Sequence, residues 1–440
     1  MAPSVAVCRS SSLLEQPELE AAVCRALSCD LSAVQSLDLG AQRCGAVSDG
    51  FLSTCGSMTV DAVVRGRHHQ LHLFVKREDA KDIVSGLDSF RREGLFYDDI
   101  LPRLESAWRR GSEPASPDLG PAAYLGTDSV VVMEDLTRRG YSAVEDDWMW
   151  NGVDYQTVQQ TLRAQARLHA ASLLAQYRDG VRFAPEVLHE NFVTRRPGVV
   201  GRRIFDTAAD VICKYLLPVA VKSLAVPQTP AELQRLKDLT RDLYAELDVD
   251  ALRRREKQAG GVLTIGHGDA WPNNVLVKRD AQGRTEHAVL VDFQMVRLAP
   301  PALDVVMFVT MSTRRAFRDK HLPGLLREYY DDLAGYCRQR GLDITEELFS
   351  FETFMASVER VRGMCRALGA AYTPVLGGDD ADMRHLHQDG DQRARFLTDA
   401  HVRGPLVARW YAAEGERGDR YRRYVNEYLE EVLGLPPSAA

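Results

Sequence analysis

The segment IGHGDAWPNNVLVKRD, residues 265–280, places a histidine, an aspartate and two asparagines within eight residues beside a hydrophobic run. Short apolar strands are predicted around it: TIGHG begins before it, VLVK lies inside it and HAVLVDF follows it. A turn is predicted between the last two strands, at 281–283. Polar groups at the edge of such strands contribute little to the stability of the folded chain. The question that this segment raises is which chemistry would need these polar groups there.

The rest of the chain divides into a mixed β-rich front and a helical back. From residue 40 to residue 76, Gly/Ser-rich segments alternate with β-branched runs, which is typical of a twisted antiparallel sheet. The sequence SVVVMEDL predicts a further strand, and the chain turns mainly helical after Gly140. Apolar residues at spacings of three and four predict helices over 15–29, 86–107, 155–177, 203–221, 231–255, 327–341 and 345–368. Pro102 is expected to end or kink the second of these helices.

Composition excludes several classes of protein. The net charge of −7 over 440 residues argues against a nucleic-acid or anionic-membrane partner, since both select clustered Lys and Arg. No run of 18 apolar residues and no good signal peptide is present, which predicts a soluble cytoplasmic protein. The eight cysteines are scattered without a CxxC pair and are interpreted as reduced thiols; a metal or disulfide framework is the alternative.

The polar residues follow the order that phosphoryl transfer requires. Protein kinases use His-x-Asp, an Asn five residues beyond the Asp, and a second Asp before Phe after a short hairpin. This chain has His267, Asp269, Asn274 and then Asp292-Phe293. Such groups orient an acceptor hydroxyl and hold Mg²⁺. The alternative is that they are turn and strand-end residues, which Asp and Asn often are.

The same chemistry predicts a lysine on an interior strand that is paired with a helical glutamate. Lys76 ends the apolar run LHLFVK, and Glu93 follows 17 residues later in FRREGLFY. The alternatives are a surface lysine and a solvent-facing helix charge, and the neighbouring Arg92 keeps the second of these open.

A flexible cover over the phosphates is the least defined part of this pattern. The loop GFLSTCGS at 50–57 offers backbone N–H groups and the hydroxyls of Ser53, Thr54 and Ser57. It does not contain GxGxxG, so a plain hairpin turn remains open.

Together these motifs resemble the ecdysteroid kinase-like (CHK kinase-like) family of the aminoglycoside phosphotransferase/choline kinase superfamily. The matching positions are His267, Gly268, Asp269, Trp271, Asn273 and Asn274; Val291 to Gln294; Val132 to Leu136; Leu168 to Ala170; and Pro301 with Asp304. The resemblance implies an α+β, protein-kinase-like two-lobed fold. The expected units are a 1–136 N-lobe with an N-terminal helix, nucleotide-binding sheet and hinge, a 137–435 helical C-lobe, and a disordered 436–440 tail.

The resemblance also implies roles for individual residues, with ATP and Mg²⁺ as cofactors. Asp269 would orient and deprotonate the acceptor hydroxyl, Asn274 and Asp292 would hold Mg²⁺, and Lys76, positioned by Glu93, would bind the α/β-phosphates. The backbone from Met133 through Glu134 and Asp135 to Leu136 would meet the adenine. His267 and Asp304 would brace the catalytic loop, and His169 would be a packed helix residue.

The phosphate acceptor is less constrained. The resemblance implies a hydroxyl of a steroid or a xenobiotic. An aminoglycoside would need a wall of carboxylates, and choline an aromatic cage. The acidic residues between 379 and 391, interpreted as solvated loop charges, and Tyr329, Tyr330 and Tyr372 are the candidates for these alternatives. A nucleotide-binding pseudokinase also remains open, and the chain is expected to be a monomer or a homodimer.

Overall fold

The computed structural model describes residues 13–44, 53–78, 88–109, 118–145, 147–183, 188, 190–346 and 348–435. These residues form an antiparallel sheet region followed by a mainly helical region, which confirms the predicted α+β fold class. Among the described residues, no helix combines the length and apolar character that crossing a membrane requires. The predicted tail at 436–440 lies outside the described residues.

The first region is a five-stranded sheet with β3 at its centre. The strands are β1 Val34–Cys44, β2 Ser53–Val64, β3 Arg67–Glu78, β4 Ala123–Gly126 and β5 Val130–Glu134, in the order β1-β2-β3-β5-β4. Arg65 and Gly66 both have positive φ (51° and 75°), as a two-residue hairpin turn requires. One face of the sheet buries Val60, Leu73 and Val132 against the helix α1, Gln16–Ala26. The sheet predicted from 40 to 76 is therefore present.

Helix α1 also carries ion pairs to two neighbouring elements. Glu18 pairs with Arg77, the residue after Lys76 on β3. Arg25 Nη1 lies 2.6 Å from Asp98 Oδ1, in the helical segment that follows the sheet's first three strands. Helix α1 thus joins β3 to that helical segment.

The helical segment around Pro102 differs from its prediction. It consists of α2 Ser89–Leu95, a π turn at Phe96–Ile100 and α3 Leu101–Arg109. Pro102 does not end the helix, because it is the second residue of α3, which runs on to Arg109. A kink at Pro102 stays a prediction. The wider π turn, in which Leu101 N–H bonds to the Phe96 carbonyl, precedes α3.

The second region surrounds two small sheets with helices. The strands are β6 Tyr141–Ala143, β7 Thr264–Gly266, β8 Val275–Arg279, β9 Thr285–Leu290 and β10 Arg297–Ala299; β6, β8 and β9 form one sheet, and β7 and β10 the other. The helices are α4 Trp148–Asn151, α5 Tyr155–Leu173, α6 Val200–Val211, α7 Leu217–Ala220, α8 Pro230–Ala245, α9 Val249–Gln258, α10 Pro301–Ser312, α11 Arg315–Gln339, α12 Phe351–Leu376, α13 Asp380–Gln388, α14 Gly390–Thr398, α15 Ala400–Ala412 and α16 Glu416–Val432. Every residue of α10 is buried, and this helix packs against α5 and α12. The catalytic-loop candidates lie between β7 and β8, directly over this core.

Two parts of the helical region correct the sequence prediction. The helix predicted over 231–255 is two helices, because Asp248 starts α9 by accepting the Ala251 N–H. The acidic residues between 379 and 391 do not lie in a loop, because Asp380 and Asp382 belong to α13 and Asp391 to α14, although Asp380 and Asp391 are exposed as expected. Asp379 and Asp389 cap α13 and α14, where a carboxylate satisfies N–H groups that have no partner within the helix.

Candidate active site

Lys76 and Glu93 form a buried ion pair. Lys76 lies on the central strand β3 with 5% of its surface exposed, and Glu93 on α2 is fully buried. Lys76 Nζ donates to Glu93 Oε2 at 2.7 Å. Burial raises the pKa of Glu93 to about 7, against the opposing effect of Lys76. Neither residue is thus the surface charge that the alternative interpretation required.

Two glycines allow α2 to approach the sheet closely enough for this pair. A Cβ at Gly94 would lie 2.3 Å from the Thr127 carbonyl oxygen, and one at Gly126 would lie 2.6 Å from the Gly94 carbonyl oxygen. Such contacts are far shorter than van der Waals distance. Helix α2 therefore rests backbone to backbone on the turn between β4 and β5, with Glu93 directed at Lys76.

Asp292 makes the second contact of Lys76. Lys76 Nζ donates to Asp292 Oδ1 at 2.6 Å. Asp292 has a left-handed backbone (φ 65°), which is rare for a residue with a side chain. The next residue, Phe293, stacks on Phe96 with ring centroids 3.7 Å apart. The ring centroids of Phe293 and His267 are 4.7 Å apart. The strained turn after β9 is thereby fixed from both sides.

His267 is held as a neutral imidazole. Its Nε2 donates to the Val291 carbonyl at 2.8 Å, and its Nδ1 accepts the Asp269 N–H at 3.3 Å. Burial lowers the pKa of His267. A neutral ring with both nitrogens engaged is a brace between the loop and the strand end at Val291.

Asp304, at the start of α10, secures the loop from below. Its Oδ2 and Oδ1 accept the N–H groups of His267 and Gly268 at 2.5 and 3.0 Å. Oδ2 also lies 3.3 Å from His169 Nε2, and His169 Nδ1 is 2.7 Å from the Tyr329 hydroxyl. Burial alone would raise the pKa of Asp304, but its contact with His169 and the backbone amide donors hold the pKa below its ordinary value.

Asp269 and Asn274 lie together at the open end of the loop. Asn274 Nδ2 donates to the Asp269 carbonyl at 2.9 Å and to Asp269 Oδ2 at 3.2 Å. Burial, together with the nearby charge of Asp292, raises the pKa of Asp269 to about 8. The structure thus places the pair Asp269–Asn274 beside the set Glu93–Lys76–Asp292, since the Val291 N–H bonds to the Asn274 carbonyl at 3.0 Å and the charges of Asp292 and Lys76 act on Asp269.

The donor chemistry of this group fits Mg²⁺. Within the described residues, no cluster of three His, Cys, Asp or Glu side chains forms a metal site by itself. The site instead offers the carboxylates of Asp269 and Asp292 with the amide of Asn274, and oxygen ligands are what Mg²⁺ prefers. Burial and, after it, repulsion by Asp292 raise the pKa of Asp269, and a divalent cation would relieve the repulsion.

The side chains of the predicted hinge, residues 133–136, bond to or pack against neighbouring residues. Glu134 Oε1 accepts the Ala122 N–H at 2.9 Å, and Asp135 Oδ1 accepts the Thr137 N–H at 3.0 Å. Leu136 is buried. These side chains are therefore engaged with neighbouring residues, and adenine recognition here stays a prediction about the backbone.

Only part of the predicted cover can be placed. Residues 45–52 lie outside the described residues, as does the side chain of Ser53. Thr54 is exposed near the start of β2, opposite Arg77 in the strand register. Its contact with phosphate stays a prediction.

Sequence reasoning missed several residues around the loop. Trp148 Nε1 donates to Asn273 Oδ1 at 3.2 Å, and its ring meets that of Trp271 edge to face at 6.0 Å. Arg297 is buried behind Gly268 and pairs with Glu190. The only sequence signal for this pair was a charge inside the apolar run MVRLAP.

The three candidate tyrosines do not share one environment. Tyr329 and Tyr330 are buried, and their hydroxyls are bonded to His169 and to the Phe349 carbonyl. Tyr372 is instead close enough to Asp269 for that carboxylate to add to the effect of burial in raising its pKa. Tyr372 is therefore the member of the three that adjoins the site.

Comparison with known proteins identifies a family for this chain. The model of the ecdysteroid kinase-like family matches residues 47–342. One similar solved structure is an ethanolamine kinase of Plasmodium vivax, at 11% identity and a TM-score of 0.38, with 86% of this chain and 82% of that chain covered. No curated protein sequence matches the chain. The family match spans most of the chain, as the motifs predicted, and the protein belongs to the ecdysteroid kinase-like family.

Proposed function

We propose that this protein is an ATP-dependent small-molecule kinase that transfers the γ-phosphoryl group to a hydroxyl of a steroid-like or xenobiotic acceptor. The observation that carries the proposal is the continuous group Glu93–Lys76–Asp292 beside Asp269–Asn274, with contacts of 2.7, 2.6 and 3.2 Å. A pseudokinase would be expected to lack one of these groups, and none is missing here.

The first half of the group would bind the nucleotide. Lys76 would contact the α/β-phosphates, and Glu93 keeps its ammonium group directed at the site. Asn274 and Asp292 would hold Mg²⁺, which offsets the charge of the phosphates when bound. Since Lys76 bonds to Asp292 at 2.6 Å, the residue that would bind the phosphates lies beside one that would hold the cation.

The second half would act on the acceptor. Asp269 would accept a hydrogen bond from the acceptor hydroxyl and align its oxygen with the γ-phosphorus. As the new P–O bond forms and the bond to the β–γ bridging oxygen breaks, the hydroxyl proton passes to Asp269. Asp269 must be ionised to accept this proton. Burial and the nearby charge of Asp292 raise its pKa to about 8, and a cation held by Asn274 and Asp292 would offset that charge and favour the ionised form.

The surroundings of Asp269 favour an apolar acceptor. Trp271 lies two residues away in sequence and is backed by Trp148, and Tyr372 adjoins the carboxylate. Of the acidic residues that could serve as partners of an aminoglycoside, Asp379 and Asp389 are engaged as helix caps. Asp380 and Asp382 pair with Arg417 and Arg409. A steroid-like alcohol is therefore favoured over an aminoglycoside.

The proposal is tested by incubating the protein with Mg-ATP and a panel of steroid, plant-alcohol, choline and amino-sugar acceptors. Mass spectrometry would detect the gain of one phosphoryl group. We expect transfer to a hydroxyl of an apolar alcohol, and none by the matched Asp269→Asn variant. Transfer only to choline or to an amino sugar would contradict the acceptor class, and ATP binding without any transfer would favour a pseudokinase.

A further inference from the structure

Arg297 occupies the space beside Gly268 in the catalytic loop. Gly268 has φ +80°, and a Cβ there would lie 2.6 Å from Arg297 Nε and 2.1 Å from the Met295 carbonyl oxygen. Arg297 begins β10 opposite Gly266 of β7 and is 1% exposed. A buried guanidinium group thus packs against the backbone of the residue that precedes Asp269.

Glu190 supplies the counter-charge for this guanidinium group. It is fully buried, and its Oε2 lies 3.3 Å from Arg297 Nη1. Its Oε1 accepts the N–H groups of Phe192 and Val193 at 2.9 and 2.8 Å. Burial alone would raise the pKa of Glu190, but Arg297, Arg92 and these amides hold it below its ordinary value, so the group is ionised.

Glu190 also interacts with helix α2. Arg92, the residue before Glu93, is buried, and its charge acts on Glu190. One helical turn earlier, Asp88 Oδ2 accepts a hydrogen bond from Asn191 Nδ2 at 3.3 Å. Two consecutive residues of α2 therefore have different partners: Glu93 holds Lys76 on the sheet, and Arg92 interacts with Glu190.

We propose that Glu190 is a positioning residue that couples helix α2 to the catalytic loop through Arg92 and Arg297. The kinetic consequence of this coupling rests on the proposed function. Without the charge of Glu190, two buried guanidinium groups lose their shared partner, and the backbone at Gly268 loses its fixed neighbour. Asp269 would then be misplaced, while Lys76, which Asp292 also holds at 2.6 Å, would keep its position for the nucleotide.

Glu190→Gln isolates the charge from the rest of the side chain. Glutamine keeps an oxygen for the two backbone N–H groups but cannot form the ion pair. We expect kcat to fall by about 10- to 100-fold with KM for ATP changed less than about threefold, because alignment rather than binding is lost. The matched control is Glu256→Gln, since Glu256 is also fully buried and pairs with Arg360 at 2.7 and 3.1 Å. Glu256→Gln should retain kcat.

Amide hydrogen exchange gives a readout that does not need turnover. In Glu190→Gln, peptides covering 266–271 and 89–96 should exchange faster than in the wild type, and in Glu256→Gln neither should. Arg297→Gln, which removes the other charge of the pair, should reproduce the pattern at 266–271 and replaces Glu190→Gln if that variant does not fold. Unchanged exchange at both sites, or equal changes in the control, would overturn the proposal. A wild-type protein without transfer activity would instead count against the proposed function, and the exchange result would still decide the role of Glu190.

Discussion

Two aspartates contact the same short loop in opposite ways. Asp304, at its base, accepts two backbone N–H groups and contacts His169, so its pKa lies below the ordinary value. Asp269, at its open end, receives one amide hydrogen bond from Asn274, which does not outweigh burial and the charge of Asp292, so its pKa rises to about 8. The two buried carboxylates thus differ in pKa partly because Asp304 faces more hydrogen-bond donors than Asp269 does.

The number of donors around each carboxylate indicates whether it holds the backbone or can take a ligand. A carboxylate whose oxygens are already occupied by donors holds backbone in place and has little capacity for a ligand. One with spare acceptor capacity and a neighbouring negative charge can take a proton or a cation. The base of the loop is therefore rigid, and its open end is available for chemistry.

The largest expected effect is the loss of turnover in Asp269→Asn. We expect kcat to fall by on the order of 10³-fold, because no group would remain to orient and deprotonate the acceptor hydroxyl. The dissociation constant for Mg-ATP, measured by calorimetry, should change by less than about threefold. Retained turnover would remove Asp269 from the mechanism.

Asp304→Asn should act on stability instead. We expect the free energy of unfolding in urea to fall by about 3 kcal/mol, because the two backbone donors and His169 lose a charged acceptor. Asp269→Asn measured beside it should not lose stability at pH 8. If both variants unfolded at the same urea concentration, the contrast between the two aspartates would be wrong.

The pH dependence of stability should distinguish the two aspartates next. Between its ordinary pKa of 3.8 and about 8, folded Asp269 keeps a proton that the unfolded chain has lost. Its contribution to the free energy of unfolding therefore falls as pH rises, by about 1.4 kcal/mol per unit. In urea titrations without Mg²⁺ between pH 5 and 8, the free energy of unfolding of Asp269→Asn, relative to that of the wild type, should rise with pH by this slope. Parallel curves would contradict the raised pKa.

The pKa of Asp304 is lowered, so the sign of its contribution is opposite. The stability that Asp304 provides should be present above pH 4 and be lost as pH falls through its folded pKa. The loss of unfolding free energy in Asp304→Asn should therefore become smaller toward acid pH. The gain in unfolding free energy in Asp269→Asn should disappear over the same range.

The smallest expected effect is that of Tyr329→Phe, which reaches Asp304 only through His169. Removal of the hydroxyl leaves His169 Nδ1 without its 2.7 Å partner and should cost about 1 kcal/mol of unfolding free energy. Thermal unfolding would measure it, with kcat unchanged. A loss as large as that of Asp304→Asn would mean that the brace depends on the whole chain of contacts.

The sequence was sufficient for the fold class and for grouping the site candidates. His267, Asp269 and Asn274 are close in sequence, and a single hairpin brings Asp292 to them, so local spacing determines much of their geometry. Lys76 and Glu93 were found because the chemistry needs a pair on a strand and the next helix. The roles of these residues stay predictions.

What the sequence could not provide depends on distant segments. Glu190, Arg297 and Arg92 belong to three separate parts of the chain, and no motif relates them. The caps Asp379 and Asp389 were misread because an aspartate that starts a helix looks in sequence like one in a loop.

Helix α1 has a practical meaning for anyone who shortens this protein. It pairs with Arg77, next to the phosphate-binding candidate, and with Asp98, just beyond the helix that holds Glu93. A recombinant fragment that starts at residue 47, where the family match begins, and keeps the rest of the chain would lose helix α1 and the edge strand β1. An inactive fragment of that kind would report a missing scaffold rather than a silent enzyme.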